Sequence, residues 1–204
     1  WPGSDVVGID SSAEMIEAAK NSFPEQDWLL ADVSDWIPAD PIDLVYSNAA
    51  LQWISNHDAL MQHLFSTVAP GGALAFQIPS STYATVRKLI HEISRDSAWT
   101  DRMSAARNSL TMEDPAFYYD ALVDSAISLD IWETEYNHVL DSKEAIVDWM
   151  ASTGLRPFMA ALYDESERNV FMAKLHRRVS DAYQSRVDGK VLFPFRRTFV
   201  IAYR

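Results

Sequence analysis

The chain has 204 residues, 48% hydrophobic and 23% charged, which is the balance of a globular domain with a sizeable core. A formal charge of -12, from 29 acidic against 17 basic side chains, excludes a broad nucleic-acid-binding surface, which needs a basic stripe. The absence of cysteine excludes disulfides and thiolate zinc sites and is compatible with the cytoplasm. No run approaches the roughly 18 apolar residues of a membrane span, and the opening WPGSD has no initiator Met, basic region or apolar signal core.

Val6, Val7 and Ile9 form a short apolar run ending in Asp10, and Ser11-Ser12 then opens a stretch with Met15, Ile16, Ala18 and Ala19 at helical spacing. This predicts a strand that delivers a carboxylate at its end, followed by a hydroxyl-capped helix. Residues 27–33, DWLLADV, predict a second short strand ending near Asp32, and residues 41–49 a buried strand introduced by Pro38 and Pro41. Leu60, Met61, Leu64, Phe65 and Val68 have helical spacing over residues 57–68. Pro70-Gly71-Gly72 stops that helix, and a strand follows over residues 73–79. Alternating strands and helices imply a mainly parallel sheet with helices on both faces.

Residues 81–125 read as helical or irregular, and residues 129–140 as a longer strand with period-two character. A helix over 142–153 opens on Ser142 and Glu144 and ends at Gly154, and another covers about 165–183. After the turn at 187–189, the closing KVLFPFRRTFVIAYR reads as a strand or broken hairpin. No repeat, low-complexity tract or linker divides the chain, so one domain over 1–204 is expected, with helical insertions at about 81–125 and 141–183 over the strand ends.

The order of GID-SS-AEMIEAA, LLADVSDW, DLVYSNAALQW and VAPGGALAFQIP resembles the class I S-adenosylmethionine-dependent methyltransferases, an α/β, Rossmann-like fold. Each motif is short, but all four stand in that family's order and spacing. NAALQW, AFYYDAL, DIWETEYNH, DWMASTGLRPF and FRRTFVIAYR resemble the trans-aconitate methyltransferases over nearly the whole chain. A Gln-Trp pair also marks the malonyl-carrier-protein methyltransferases of biotin synthesis, and TGLRP favours the former. The resemblance implies that the opening strand is the family's second, and that the first strand and its glycine-rich loop are absent from this sequence. A sheet lacking that central strand leaves two edges open, which keeps alive the alternative of a non-catalytic methyltransferase-like module.

The resemblance assigns roles residue by residue. Asp10 would accept hydrogen bonds from the ribose hydroxyls of S-adenosylmethionine, or else cap the helix through the Ser12 or Ala13 amide. Ser11 is a cap or a further cofactor contact. Asp32 and the Val33 amide would meet the adenine, unless Asp32 only turns the chain toward Trp36. Asn48 and Ala49 would line the methionine part, where α/β folds place ligands, or Asn48 would merely turn the chain. Gln52 and Trp53 would wall the acceptor pocket, and Trp53 equally fits a core.

A tricarboxylate acceptor needs fixed positive groups in so acidic a protein, and guanidinium forks suit planar carboxylates. Arg156, Arg197 and His138 match the family pattern, and Tyr118 and Tyr119 offer phenolic donors. The alternatives are a helix-dipole partner after Gly154 for Arg156, surface charges for Arg196 and Arg197, and a structural role for His138. An ionised acceptor needs no general base, so the expected catalysis is positioning alone. His57 and His63 lack the spacing of a metal site, and no metal, membrane or nucleic-acid partner is expected.

Overall fold

The computed structural model describes residues 3–80 and 85–204. The first two residues of WPGSD and the first four of the expected insertion at 81–125 lie outside the described residues. β1 (Val7–Asp10), α1 (Ala13–Ser22) and β2 (Asp27–Leu30) form a parallel two-stranded unit. The cap of α1 is Ser12, whose hydroxyl accepts from the Met15 N–H at 3.3 Å. Close packing in this unit depends on Gly8, where a Cβ would lie 2.2 Å from the Trp28 ring.

A separate four-stranded sheet has the order β3-β4-β6-β5. β3 (Ile42–Asn48) runs parallel to β4 (Val68–Pro79) and is joined to it through α2 (His57–Ser66). β6 (Val191–Tyr203) is antiparallel to both β4 and β5 (Ser128–Leu140), so the sheet is mixed rather than mainly parallel. The reason is topological: β5 ends, and β6 begins, at the same end of the sheet, so the chain can only return down it. β1 and β3 sit in different sheets, and Val7, Leu44 and Tyr46 on them are exposed.

The expected turn at Pro70-Gly71-Gly72 lies inside a strand. β4 already begins at Val68, opposite Ile42, and the ladder resumes at Leu44 opposite Ala73. The added residues form a bulge, which Gly71 turns at φ 83°. Gly72 is pressed so close that a Cβ there would lie 2.6 Å from the Asp43 carbonyl oxygen. The closing segment is one continuous strand and not a broken hairpin. Its Pro194 pairs with Asn137 beyond the last β4 partner, Arg197 opposite Pro79, where β6 has a free side and a missing N–H is tolerated.

Two apolar cores result. Leu74, Phe76, Ile78, Val200 and Ala202 cover one face of the sheet against α2 and α5 (Pro115–Leu122), with Met61, Leu64, Tyr118 and Leu122 buried between them. The second core is a cap. It joins α3 (Thr85–Ile93), α4 (Ser104–Arg107), α6 (Glu144–Ala151), α7 (Arg156–Ala160) and α8 (Glu165–Ala182) to Val191 and Phe193 of β6. The expected insertion at 81–125 is therefore divided, its first helices entering the cap and α5 the sheet core. The β5–β6 hairpin overhangs the C-terminal ends of β3 and β4 and carries the cap above them. Among the described residues no helix is long and apolar enough to cross a membrane.

Because the Gly72 neighbour is backbone, Gly72→Ala must displace the β3–β4 bulge. It is expected to lower the unfolding free energy by about 1–3 kcal/mol, read from the urea midpoint at unchanged slope.

Candidate functional site

Asp10 ends β1 exposed, with Oδ1 accepting from the Ser12 N–H at 2.8 Å. The capping alternative and the ligand expectation are thus compatible, because one oxygen orients the carboxylate and Oδ2 is left over. Ser11 is not the cap, which is Ser12. Asp32 makes a comparable local turn, with Oδ1 accepting from the Ser34 hydroxyl at 2.6 Å and the Ser34 N–H at 2.9 Å. The Ser34 bonds hold its carboxyl below the usual range. Val33 packs its side chain against the sheet core.

At the end of β3, Ala49 takes a left-handed φ of 55°, a conformation that costs a non-glycine residue of order 1–3 kcal/mol. Its N–H donates to the Gln77 carbonyl at 2.8 Å, and its own carbonyl accepts from Gln52 Nε2 at 2.6 Å. The Ala49 N–H is therefore committed within the protein, and its carbonyl keeps one lone pair beyond the Gln52 bond. Asn48 is exposed beside it, in register with Gln77.

Gln77 is buried, and its Oε1 accepts from Arg197 Nη1 at 2.7 Å. Those partners fix both amide orientations: Gln77 must leave its NH2 unpaired, and Gln52 its carbonyl oxygen. Gln77 Nε2, Gln52 Oε1 and His138 Nε2 are all buried without a partner among the described residues. Buried polar atoms are nearly always paired, and each orphan costs about 1–3 kcal/mol, which a ligand would recover. Alternation along the strands sets Gln77, Arg197, Phe195, Tyr136 and His138 on the same face, beneath the cap. The His138 ring packs 4.6 Å from that of Trp149.

The two neighbouring arginines separate cleanly. Arg196 lies 3.5 Å from Glu133 and 3.2 Å from Glu135, a surface ion pair. Among the described residues Arg197 meets no carboxylate, and it rests over the Phe195 ring at 5.0 Å. Arg156 is exposed at the start of α7, its N–H donating to the Thr153 carbonyl at 3.2 Å. Gly154 is not a left-handed cap, so Arg156 opens a helix instead of closing one, and the dipole alternative fails.

Tyr118 is a correction. It has no exposed surface, and its hydroxyl is 2.6 Å from His57 Nδ1. His57 Nε2 is 3.0 Å from the Leu51 carbonyl, which can only accept. Nε2 therefore carries the proton, Nδ1 accepts from Tyr118, and the Tyr118 oxygen in turn accepts from the Glu113 N–H at 3.4 Å. Burial raises the phenol further from ionisation. Tyr118 thus braces the 3-10 turn at Leu51–Trp53 and presents nothing to a ligand. Tyr119 is exposed, and Trp53, 49% exposed, is not core.

Sequence reasoning missed Gln77, Arg87 and His91. Gln77 had a signal, as the one polar residue in the strand ALAFQIP; Arg87 and His91 had none, because only the tertiary fold half-buries them. Burial first, then Arg87, Arg95 and Arg107, draw His91 down to about 4.

Residues 1–157 match the family of methyltransferase domains. The trans-aconitate 2-methyltransferase of Azoarcus sp. strain BH72 is 40% identical over 204 residues, covering 100% of this chain and 79% of that protein. That of Rhodopseudomonas palustris strain BisA53 is 39% identical over 203 residues, 99% of this chain and 79% of the relative. Among solved structures, the YcgJ protein of Bacillus subtilis shares the fold with a TM-score of 0.61 at 11% identity, over 97% of this chain and 81% of that one. Phosphoethanolamine N-methyltransferase 2 of Haemonchus contortus, solved with phosphomonomethylethanolamine and S-adenosylhomocysteine, gives 0.53 at 12% identity, over 97% and 43%.

His91 titrates below its ordinary 6.5 when folded, so the unfolded chain takes up the proton first as the pH falls. Its contribution to stability is whole above about 6.5 and is lost toward about 4. His91→Gln is expected to flatten the fall of Tm across that window, measured by thermal melts at successive pH values.

Proposed function

The chain belongs to the methyltransferase-domain family and, within it, to the trans-aconitate 2-methyltransferases; on that premise we propose that it is a cytoplasmic enzyme transferring a methyl group from S-adenosylmethionine to a carboxylate of trans-aconitate, giving the monomethyl ester. The observation that carries the acceptor class is Arg197. In a protein of charge -12, a half-buried guanidinium without a carboxylate stands beside the unpaired Gln77 amide. A planar carboxylate satisfies both, since it accepts from each.

The strand-end residues fit the cofactor chemically. Asp10 has a carboxylate oxygen left over for ribose hydroxyls, and Asp32 is held ionised by Ser34 for an amino donor. Ser11, Val33, Asn48 and Ala49 complete that lining in our reading, and Gln52, Trp53, Tyr119, His138 and Arg156 that of the acceptor. When bound, S-adenosylmethionine supplies an electrophilic methyl group on a sulfonium sulfur.

The chain's own part is to align and to dry. Trans-aconitate is ionised at neutral pH, so its oxygen attacks without losing a proton, and no side chain has to act as a base. The buried His57–Tyr118 pair is locked into a structural brace and takes no part. Arg197 and Gln77 would fix the plane of a carboxylate, and the rings of Trp149 from the cap and Phe195 from the sheet would exclude water from it.

Arg197→Ala and Arg156→Ala are each expected to raise the KM for trans-aconitate by about 10- to 100-fold, equivalent to about 1.4–2.8 kcal/mol. Affinity for S-adenosylhomocysteine, measured by calorimetric titration, should stay within about twofold. Normal acceptor kinetics in both variants would refute the clamp.

A further inference from the structure

Arg87 on α3 is another half-buried guanidinium that meets no carboxylate among the described residues. Its one hydrogen-bond partner among the described residues is the Met112 sulfur, 3.8 Å from Nη1. Neighbouring arginines of the cap are satisfied: Arg102 by Glu167 at 2.8 Å, and Arg107 by the carbonyls of Ser94 and Thr100 at 2.8 and 2.9 Å. Burial alone draws the Arg87 guanidinium down to about 10, and no acidic group offsets it. A half-buried cation with no acidic partner among the described residues is costly to the fold.

Arg87 lines a narrow cleft of about 30 Å³ with His91, and Leu110, Met150 and Phe158 form its apolar walls. The Ser109 hydroxyl donates to the Ala106 carbonyl at 2.8 Å, which leaves Arg87 as the cationic donor lining the cleft, with a neutral His91 beside it. Apolar walls around a cationic end fit a carboxylate on a short carbon chain, and the volume fits only the head of one.

The cleft adjoins the acceptor site on two sides. Met112 follows Thr111, whose N–H donates to the Gln52 carbonyl at 2.8 Å, so one loop touches both Arg87 and the Gln52 wall. Gly154 and Phe158 also line the cleft, and Arg156 stands between them in sequence.

We propose that Arg87, with His91 beside it, is the second anchor of the acceptor, taking a carboxylate other than the one held by Arg197. This rests on the trans-aconitate reading above and deepens it: Arg87 selects tricarboxylates over dicarboxylates.

The test compares trans-aconitate with itaconate, which lacks one carboxylate, in the unaltered protein, Arg87→Met and Arg87→Lys. The unaltered protein is expected to prefer trans-aconitate in kcat/KM by about 30-fold, near 2 kcal/mol. In Arg87→Met the preference should collapse to within about threefold, through KM for trans-aconitate, and Arg87→Lys should restore part of it. Without acceptor, Arg87→Met should keep or raise Tm, because it removes a half-buried charge that has no acidic partner among the described residues. A fall in Tm of about 5 °C or more would make Arg87 structural and overturn the proposal, as would an Arg87→Met chain that keeps the full preference. An unaltered protein inert toward trans-aconitate would instead overturn the proposed function itself.

Discussion

The site hangs on the Gln77 residue at the end of β4. Its carbonyl accepts from the Ala49 N–H and holds that residue in a left-handed turn, while its side-chain oxygen accepts from Arg197 across to β6. Ala49 in turn accepts from Gln52, and the Gln52 carbonyl accepts from Thr111. One residue thus ties the exit of β3, the turn at Gln52 proposed to wall the acceptor, the loop before α5 and the arginine of β6. Its unpaired amide N–H group is left at the centre of that arrangement. Such incomplete satisfaction is costly in a stable core and useful in a binding site, where the ligand completes it.

Charge gives this geometry its meaning. An acidic protein repels an anion at long range, so recognition has to come from short-range groups with no carboxylate of their own. Adjacent residues illustrate the selection: Arg196 faces the glutamates of β5 on one side of the sheet, and Arg197 faces Gln77 and aromatic rings on the other. Period-two alternation alone makes that separation. The same arrangement supports the proposed positioning mechanism, since an ionised acceptor needs orientation and dehydration and no proton transfer.

Much of the fold was legible because its signals are local. The run ending in Asp10, the alternating β5 segment and the apolar spacing of α2 and α8 each carry their period in a few residues, and the structure keeps them. Misreadings came where tertiary packing decides. Pro70-Gly71-Gly72 has the composition of a turn but is a bulge pinned against Asp43. Gly154 looks like a helix terminator, yet it sits where a Cβ would lie 2.9 Å from the Met150 methyl carbon. Tyr118 and Tyr119 are indistinguishable in sequence, but the turn of α5 buries one in the sheet core and exposes the other. Arg87 becomes unusual only when the cap closes around it without an acid.

The most direct test of carboxylate recognition by an acid-free guanidinium is Gln77→Glu, which keeps side-chain size and gives Arg197 a carboxylate of its own. Acceptor titration of the folded variant, with S-adenosylhomocysteine present, should show trans-aconitate binding weakened by about 100-fold or more, near 2.7 kcal/mol. Affinity for S-adenosylhomocysteine should hold within about twofold. Undiminished trans-aconitate binding by that variant would contradict the assignment of Arg197 and Gln77 to the acceptor.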